Sequence, residues 1–142
     1  MEPIMRQKRG WVGLVPYRKA GDSFEFFLQK RDLHAKRNPN LFGVFGGGIE
    51  NGESLEETLS RELKEELAYT PKVAVYFSRY EHATGISHLF IEEVRENFES
   101  LITIHEGQYG KFLTLNKIRK LTNVTDMTRV RITQLSDYLK SR

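Results

Sequence analysis

A mixed α/β fold is what this sequence predicts, and three observations predict it. Runs rich in Val, Phe, Tyr and Leu, such as GWVGLVPY at 10–17 and SFEFFLQK at 23–30, have the composition of strands. At residues 55–67 the pattern changes to leucines four apart, Leu55, Leu59, Leu63 and Leu67, which line one face of a helix. Residues 127–139 repeat a helical period, with Val130, Leu135 and Leu139 expected inward. With 142 residues the chain is long enough to bury a core, and one domain over 1–142 is expected.

Taken in order, the first two strands are separated by Lys19-Ala20-Gly21-Asp22, which has the chemistry of a hairpin turn. Residues 32–41 (DLHAKRNPNL) are polar and contain Asn38-Pro39-Asn40, so they form a loop. His34 in that loop is read as solvent-exposed. Phe42 to Phe45 is a brief strand entering Gly46, Gly47 and Gly48, which are expected to make a turn. Ser54 and Glu57 form a capping box, so the helix begins near Leu55 and Thr70-Pro71 stops it.

KVAVYFSRY at 72–80 and ISHLFIEEV at 86–94 read as an antiparallel pair joined through His82 to Gly85. His88 is read as a packed strand histidine, and one of Glu92 and Glu93 is a candidate to reach the acidic helix. Glu106-Gly107-Gln108 precedes an apolar run from Phe112 to Leu115, and 116–121 suits a short helix. Pattern alone does not arrange these strands.

Composition closes several routes. The absence of cysteine excludes a disulfide framework, a thiolate metal site and a cysteine nucleophile, and a cytoplasmic location is expected. MEPIMRQKRG has basic residues with no apolar run behind them, so no signal peptide is expected. No stretch approaches the roughly 18 apolar residues of a membrane span. A net charge of +3 is mild, and nucleic acid is not the expected partner. Lys117, Arg119, Lys120, Arg129 and Arg131 crowd the C-terminal third; they are read as a solvated helix face, with polyphosphate binding as the alternative.

The chemistry gathers where the glycines meet the acidic helix. Glu62, Glu65 and Glu66 fall within an arc of roughly 100° beside the leucine stripe. Carboxylates crowded at the edge of a core repel one another and are costly to bury unpaired. A divalent cation would relieve both penalties, and hard oxygen donors suit Mg²⁺ or Mn²⁺. Glycine lets backbone approach a ligand closely, so amides there meet phosphate and a carbonyl meets metal.

The run of Gly47, five residues, Glu53, seven residues, then Arg61-Glu62-Leu63-Lys64-Glu65-Glu66 resembles the signature box of the Nudix hydrolases, in particular MutT-like members. The box departs from the family at its end, where Ala68 and Tyr69 replace a glycine and an aliphatic residue, and Phe45 replaces a proline just ahead of it. If Ala68 must be left-handed, alanine there costs on the order of 1 kcal/mol.

The resemblance implies an α/β/α sandwich with a mixed, curled β-sheet. It also implies a Mg²⁺- or Mn²⁺-dependent hydrolase, monomer or homodimer, that cleaves the pyrophosphate linkage of a small-molecule nucleoside diphosphate derivative. Metal ligands would come from Glu62, Glu65, Glu66, the Gly46 carbonyl and Glu106. Glu65 or Glu106 would be the general base, and Arg61 would pair with Glu53 to hold loop and helix in register. Arg31, Gly47, Gly48 and Asn123 would contact substrate, Asn123 at a base edge.

The markers of ADP-ribose, dinucleoside-polyphosphate, coenzyme A and NADH subfamilies are missing. Small size and the Glu-Gly-Gln loop favour a (deoxy)nucleoside triphosphate, oxidised purines included, cut to monophosphate and pyrophosphate. The alternatives are a nucleotide-sugar or other nucleoside-diphosphate hydrolase, and a non-catalytic nucleotide-binding module.

Overall fold

The computed structural model describes residues 10–142. Strands β1 (Trp11–Ala20) and β2 (Ser23–Lys30) form the expected hairpin, with Gly21 left-handed at the turn. Strands β3 (Phe42–Gly43) and β4 (Phe45–Gly48) follow the polar loop, and helix α1 (Leu55–Leu67) comes next. Strands β5 (Val75–His82) and β6 (Gly85–Glu93) pair antiparallel, and a 3₁₀ turn spans Phe98–Leu101. Strand β7 (Tyr109–Thr114), helix α2 (Leu115–Lys120) and helix α3 (Asp126–Lys140) complete the order.

The seven strands join one mixed sheet, ordered β3-β2-β1-β6-β5, with β4 also on β1 and β7 also on β2. β1 runs parallel to β6, and the other pairs are antiparallel. One edge of β1 is shared: residues 11–14 pair with β4, and residues 17–20 pair with β2. β1 and β2 part beyond that hairpin end, and β3–β4 fills the gap, β4 on β1 and β3 on β2.

Each face of the sheet is covered. On one side Leu59, Leu63 and Leu67 of α1 pack with Val12, Leu14, Phe27, Phe45 and Phe90. On the other, Ile118 of α2 and Ile132, Leu135 and Leu139 of α3 pack with Val15, Phe26, Leu28 and Leu89. This is the α/β/α sandwich. Burying each such side chain contributes about 2 kcal/mol, so the leucine stripe of α1 alone fixes its orientation. Among the described residues no helix is long and apolar enough to cross a membrane.

The glycines are strand rather than turn. Gly46 and Gly47 stand opposite Gly13 and Val12 in the β1–β4 ladder. A Cβ on Gly46 would collide with the Val12 carbonyl oxygen, so close approach of two backbones is what glycine provides here. Phe45, where a proline was expected, is fully buried and stacks on Phe27 at 5.5 Å between centroids.

The ends of α1 follow its sequence. The Glu57 amide donates to the Ser54 hydroxyl at 3.1 Å, and the Ser54 amide donates to the Glu57 carboxylate at 3.1 Å. Ala68 closes the helix in the left-handed region at φ 52°. Tyr69 is buried against Phe98, and its hydroxyl donates to Glu92.

Three further expectations change. Glu92 does not join the acidic helix face: its buried carboxylate accepts from the Tyr69 hydroxyl and, at 2.8 Å each, from the amides of Lys72 and Val73. It ties the exit of α1 to β6, and Glu93 is exposed. Val130 faces outward at 45% exposure, because α3 turns Thr128, Arg131, Ile132 and Leu135 inward instead. The basic residues are not all solvated: Arg129 donates to the carbonyls of Ile118 and Leu121, capping α2, and Arg131 is buried.

Ala68→Gly should stabilise the protein by about 1 kcal/mol, because glycine removes the left-handed strain of a β-carbon. Urea denaturation checks this; an unchanged or lower midpoint would show that Ala68 carries no such strain.

Candidate active site

The site is built where α1 crosses β4. A Cβ on Gly47 would overlap the carboxyl group of Glu62, so glycine lets the helix carboxylates lie directly on the strand. One turn further on, the Gly46 amide donates to Glu66 Oε1 at 2.9 Å. Glu66 Oε2 accepts from Gln29 Nε2 of β2 at 3.3 Å, and the same amide group donates to the Glu106 carbonyl at 3.2 Å. Gln29 therefore fastens the Glu106 loop to the helix carboxylate. The His105 amide adds a second tie, donating to the Glu66 carbonyl at 2.8 Å.

Arg61 organises the other end. Its Nε and Nη2 donate to the two oxygens of Glu53 at 2.7 and 2.9 Å, a bidentate pair of the strong kind. Nη2 also donates to the Gly48 carbonyl at 3.0 Å, and Nη1 to Glu62 Oε1 at 2.8 Å. Glu53 accepts besides from the Glu50 amide and the Thr58 hydroxyl. Chiefly through the Arg61 bond, its carboxyl is held down at about 2. Helix, loop and strand are thus cross-linked through one guanidinium.

The remaining carboxylates share one field. Burial pushes Glu62 upward, and the charges of Glu65 and Glu106 add to that push against the pull of Arg61. Burial raises Glu66 to about 8, and Glu106 and Glu62 contribute to the rise. Glu65 is 60% exposed, with Arg61 Nη1 at 3.6 Å. Glu106 is exposed in its loop. Sequence placed Glu62, Glu65 and Glu66 together; the fold adds Glu106 to them.

Among the described residues no three acidic or imidazole side chains close round one point. The donor set still suits a hard divalent cation, because two of its carboxylates are raised by burial and by the charge of neighbouring carboxylates, Glu106 bearing on both. Glu62 is held by Arg61 and Glu66 by Gly46 and Gln29, whereas Glu65 and Glu106 are exposed.

The predicted substrate residues divide. Arg31 Nε donates to the Arg37 carbonyl at 2.8 Å, while its charge bears on Glu66 from across the cleft. Gly47 and Gly48 lie beside the carboxylates, but the Gly48 carbonyl is taken by Arg61. Asn123 was expected at a base edge. It lines a cavity of about 400 Å³ with Phe42, Tyr109, Lys111, Lys117 and Lys120, on the α2 side of the sheet. His34 is exposed, and His88 is half-buried against the Tyr76 hydroxyl.

Sequence reading missed Gln29 and Trp11. Gln29 stands as a polar residue in the apolar run FFLQK, which was a usable signal, and it is 3% exposed. The Trp11 indole lies over Gly13 and Gly46, and nothing in its neighbours along the chain announces that.

A family model of the NUDIX domain matches residues 7–131, and the chain belongs to that family. MutT proteins are among its relatives in fold. The NUDIX domain of Shewanella oneidensis NrtR, in a complex with ADP ribose, superposes with a TM-score of 0.75 at 20% identity over 95% of this chain and 90% of that one. The MutT protein of Methanosarcina mazei Go1 gives 0.71 at 19% identity, covering 99% and 100%. A C. elegans Ap4A hydrolase gives 0.67 at 21% identity, covering 94% and 99%. No curated protein matches the chain.

Glu66 makes stability depend on pH. Its folded value of about 8 lies above the ordinary 4.5, so the stabilisation it contributes is complete below about pH 4.5 and is lost as pH rises through about 8. In buffer free of divalent cations, wild type should lose on the order of a few kcal/mol between pH 5 and pH 9. Glu66→Gln should flatten that slope; thermal melts in which both proteins show the same slope would refute this.

Proposed function

We propose that the protein hydrolyses a (deoxy)nucleoside triphosphate, in the presence of Mg²⁺ or Mn²⁺, to a nucleoside monophosphate and pyrophosphate. The observation that carries this reading is the meeting of Glu106 with Glu62 and Glu66 across the glycine strand, fastened by Gln29. Nucleotide-sugar or other nucleoside-diphosphate hydrolysis is the alternative within the same class.

Glu62, Glu66 and Glu106, with the Gly46 carbonyl and Glu65, would hold the cation. When bound, it would neutralise phosphate charge and lower the pKa of a water. The residues of the chain divide the remaining work by access. Both oxygens of Glu66 are engaged by protein donors, and Glu62 is clamped by Arg61. Glu65 and Glu106 are exposed, which makes them the candidates to take a proton from the attacking water.

The water oxygen attacks one phosphorus of the α–β anhydride, its proton passes to Glu65 or Glu106, and the bridging P–O bond breaks: attack at the α-phosphorus expels pyrophosphate, and attack at the β-phosphorus expels the nucleoside monophosphate. Arg31 is the nearby cation that would steady the leaving charge. Arg61 and Glu53 act on position: their bidentate pair keeps Glu62 over Gly47.

A non-hydrolysing nucleotide-binding module is the second reading. It draws on the fold similarity to a NUDIX domain complexed with ADP ribose. Glu65→Gln separates the two: an enzyme should lose roughly 10²–10⁴-fold in rate while retaining nucleotide binding. If Glu106→Gln takes the larger loss, Glu106 is the base.

Substrate class is settled by assays with Mg²⁺ on dNTPs, 8-oxo-dGTP, ADP-ribose, nucleotide sugars and dinucleoside polyphosphates. Turnover of a sugar nucleotide with none of any triphosphate would sink the triphosphate assignment.

A further inference from the structure

The cavity of about 400 Å³ between β7 and α2 is lined by cations that the acidic cluster does not use. Three of its lining residues are lysines, Lys111, Lys117 and Lys120, and none is a carboxylate. A fourth lysine, Lys30, sets its Nζ 5.3 Å from the ring centre of Phe42 and 5.9 Å from that of Tyr109, the two aromatic residues of the lining. None of the four lysines forms an ion pair among the described residues. Like charges gathered without a counter-charge repel one another, and an arriving anion relieves that repulsion.

Sheet register and helix period bring these charges together. Tyr109, Lys111 and Leu113 alternate onto one face of β7, and their partners on β2 are Lys30, Leu28 and Phe26. Phe42 of β3 stands opposite Lys30. The row passes from packed core at Leu113 to open surface at Lys111 and Tyr109. Lys117 and Lys120 lie three residues apart on α2, which places them on one side of that helix. The walls are also fixed: Arg129 donates to the Ile118 and Leu121 carbonyls, and the Phe42 amide donates to the Asn123 carbonyl at 2.8 Å. A wall already ordered lowers the entropic cost of binding.

Shape and charge together name the class of ligand. Phe42 and Leu113 are buried, and the Phe42 and Tyr109 rings meet edge to face at 6.0 Å and 71°, which makes an apolar corner. The volume falls within the range of small-molecule sites. A neutral ring would fill the corner and leave the lysines without a counter-charge. Inorganic phosphate would meet the lysines and leave the corner empty.

We propose that this cavity binds an aromatic phosphate ester without a metal ion, its ring in the corner of Phe42 and Tyr109 and its phosphate among Lys111, Lys117 and Lys120. Lysine supplies the counter-charge here, so the site works independently of the cation that the acidic cluster calls for. The inference does not rest on the hydrolase reading of that cluster.

The test is an amide NMR titration of the full chain in EDTA with phenyl phosphate, inorganic phosphate and benzyl alcohol. Phenyl phosphate should bind roughly tenfold tighter than either of the others, less tightly as salt rises, and should shift the amides of Tyr109, Lys111 and Lys117 most. Joint replacement Lys117→Gln and Lys120→Gln should weaken phenyl phosphate roughly tenfold and leave benzyl alcohol unchanged. Tyr109→Ala should weaken phenyl phosphate and leave inorganic phosphate unchanged. All three positions are exposed, so the variants keep the core intact. The proposal is overturned if phenyl phosphate does not bind in EDTA, if inorganic phosphate or benzyl alcohol binds as tightly, or if the lysine replacements change nothing. Failure of the triphosphatase reading would look different: no triphosphate is turned over, yet phenyl phosphate still binds in EDTA and still depends on Lys117 and Lys120.

Discussion

Helix α1 lies so close to strand β4 that only hydrogen fits between Gly47 and the carboxyl group of Glu62. The rest of the candidate site depends on that approach. A side chain on Gly47 would push the Glu62 carboxylate off the strand and away from Arg61. The approach is in turn underwritten from below, because Leu59, Leu63 and Leu67 anchor α1 in a core with Phe27, Phe45 and Phe90. Apolar packing supplies the energy, and glycine supplies the clearance. Neither would place a carboxylate on the strand without the other.

Arg61 and Gln29 convert that proximity into a defined arrangement. Arg61 joins Glu53, Glu62 and Gly48, which belong to loop, helix and strand respectively. Gln29 joins Glu66 to the loop that carries Glu106. Both residues leave the exposed carboxylates, Glu65 and Glu106, outside their grip. The rigid part of the site and its adjustable part are thus different residues. The division suits a centre that must hold ligands still while one carboxylate exchanges a proton.

The departures from the family box are absorbed by packing elsewhere. Phe45 stacks on Phe27 in the core, and Tyr69 sits against Phe98 with its hydroxyl on Glu92. Glu92 in turn holds the amides that follow the helix. None of these three residues touches the acidic cluster, so the variation is confined to the support of α1. Ala68 is the exception in kind: it adopts the left-handed conformation that glycine would take without strain.

Local pattern determined a good deal by itself. The capping box fixed where α1 starts, the leucine period fixed its buried face, and helical spacing put Glu62, Glu65 and Glu66 on one side, while the resemblance implied the pairing of Arg61 with Glu53. These are readable because each depends on residues a few positions apart. Only the tertiary structure decided that the three glycines form a strand, since that follows from their pairing with β1. It alone brought Gln29 to the acidic helix and Trp11 onto Gly13 and Gly46, and it carries Glu106, which the resemblance implied, to Glu62 and Glu66 across sequence separations that no period encodes. It also reversed the reading of Arg131. The charge suggested a solvated face, although its spacing of four from Leu135 already placed it inward, and burial between α3 and Trp11 decided the matter. Contacts within a helix or a turn are written in the sequence; contacts between elements are set by how the sheet branches at β1, and that is a property of the whole fold.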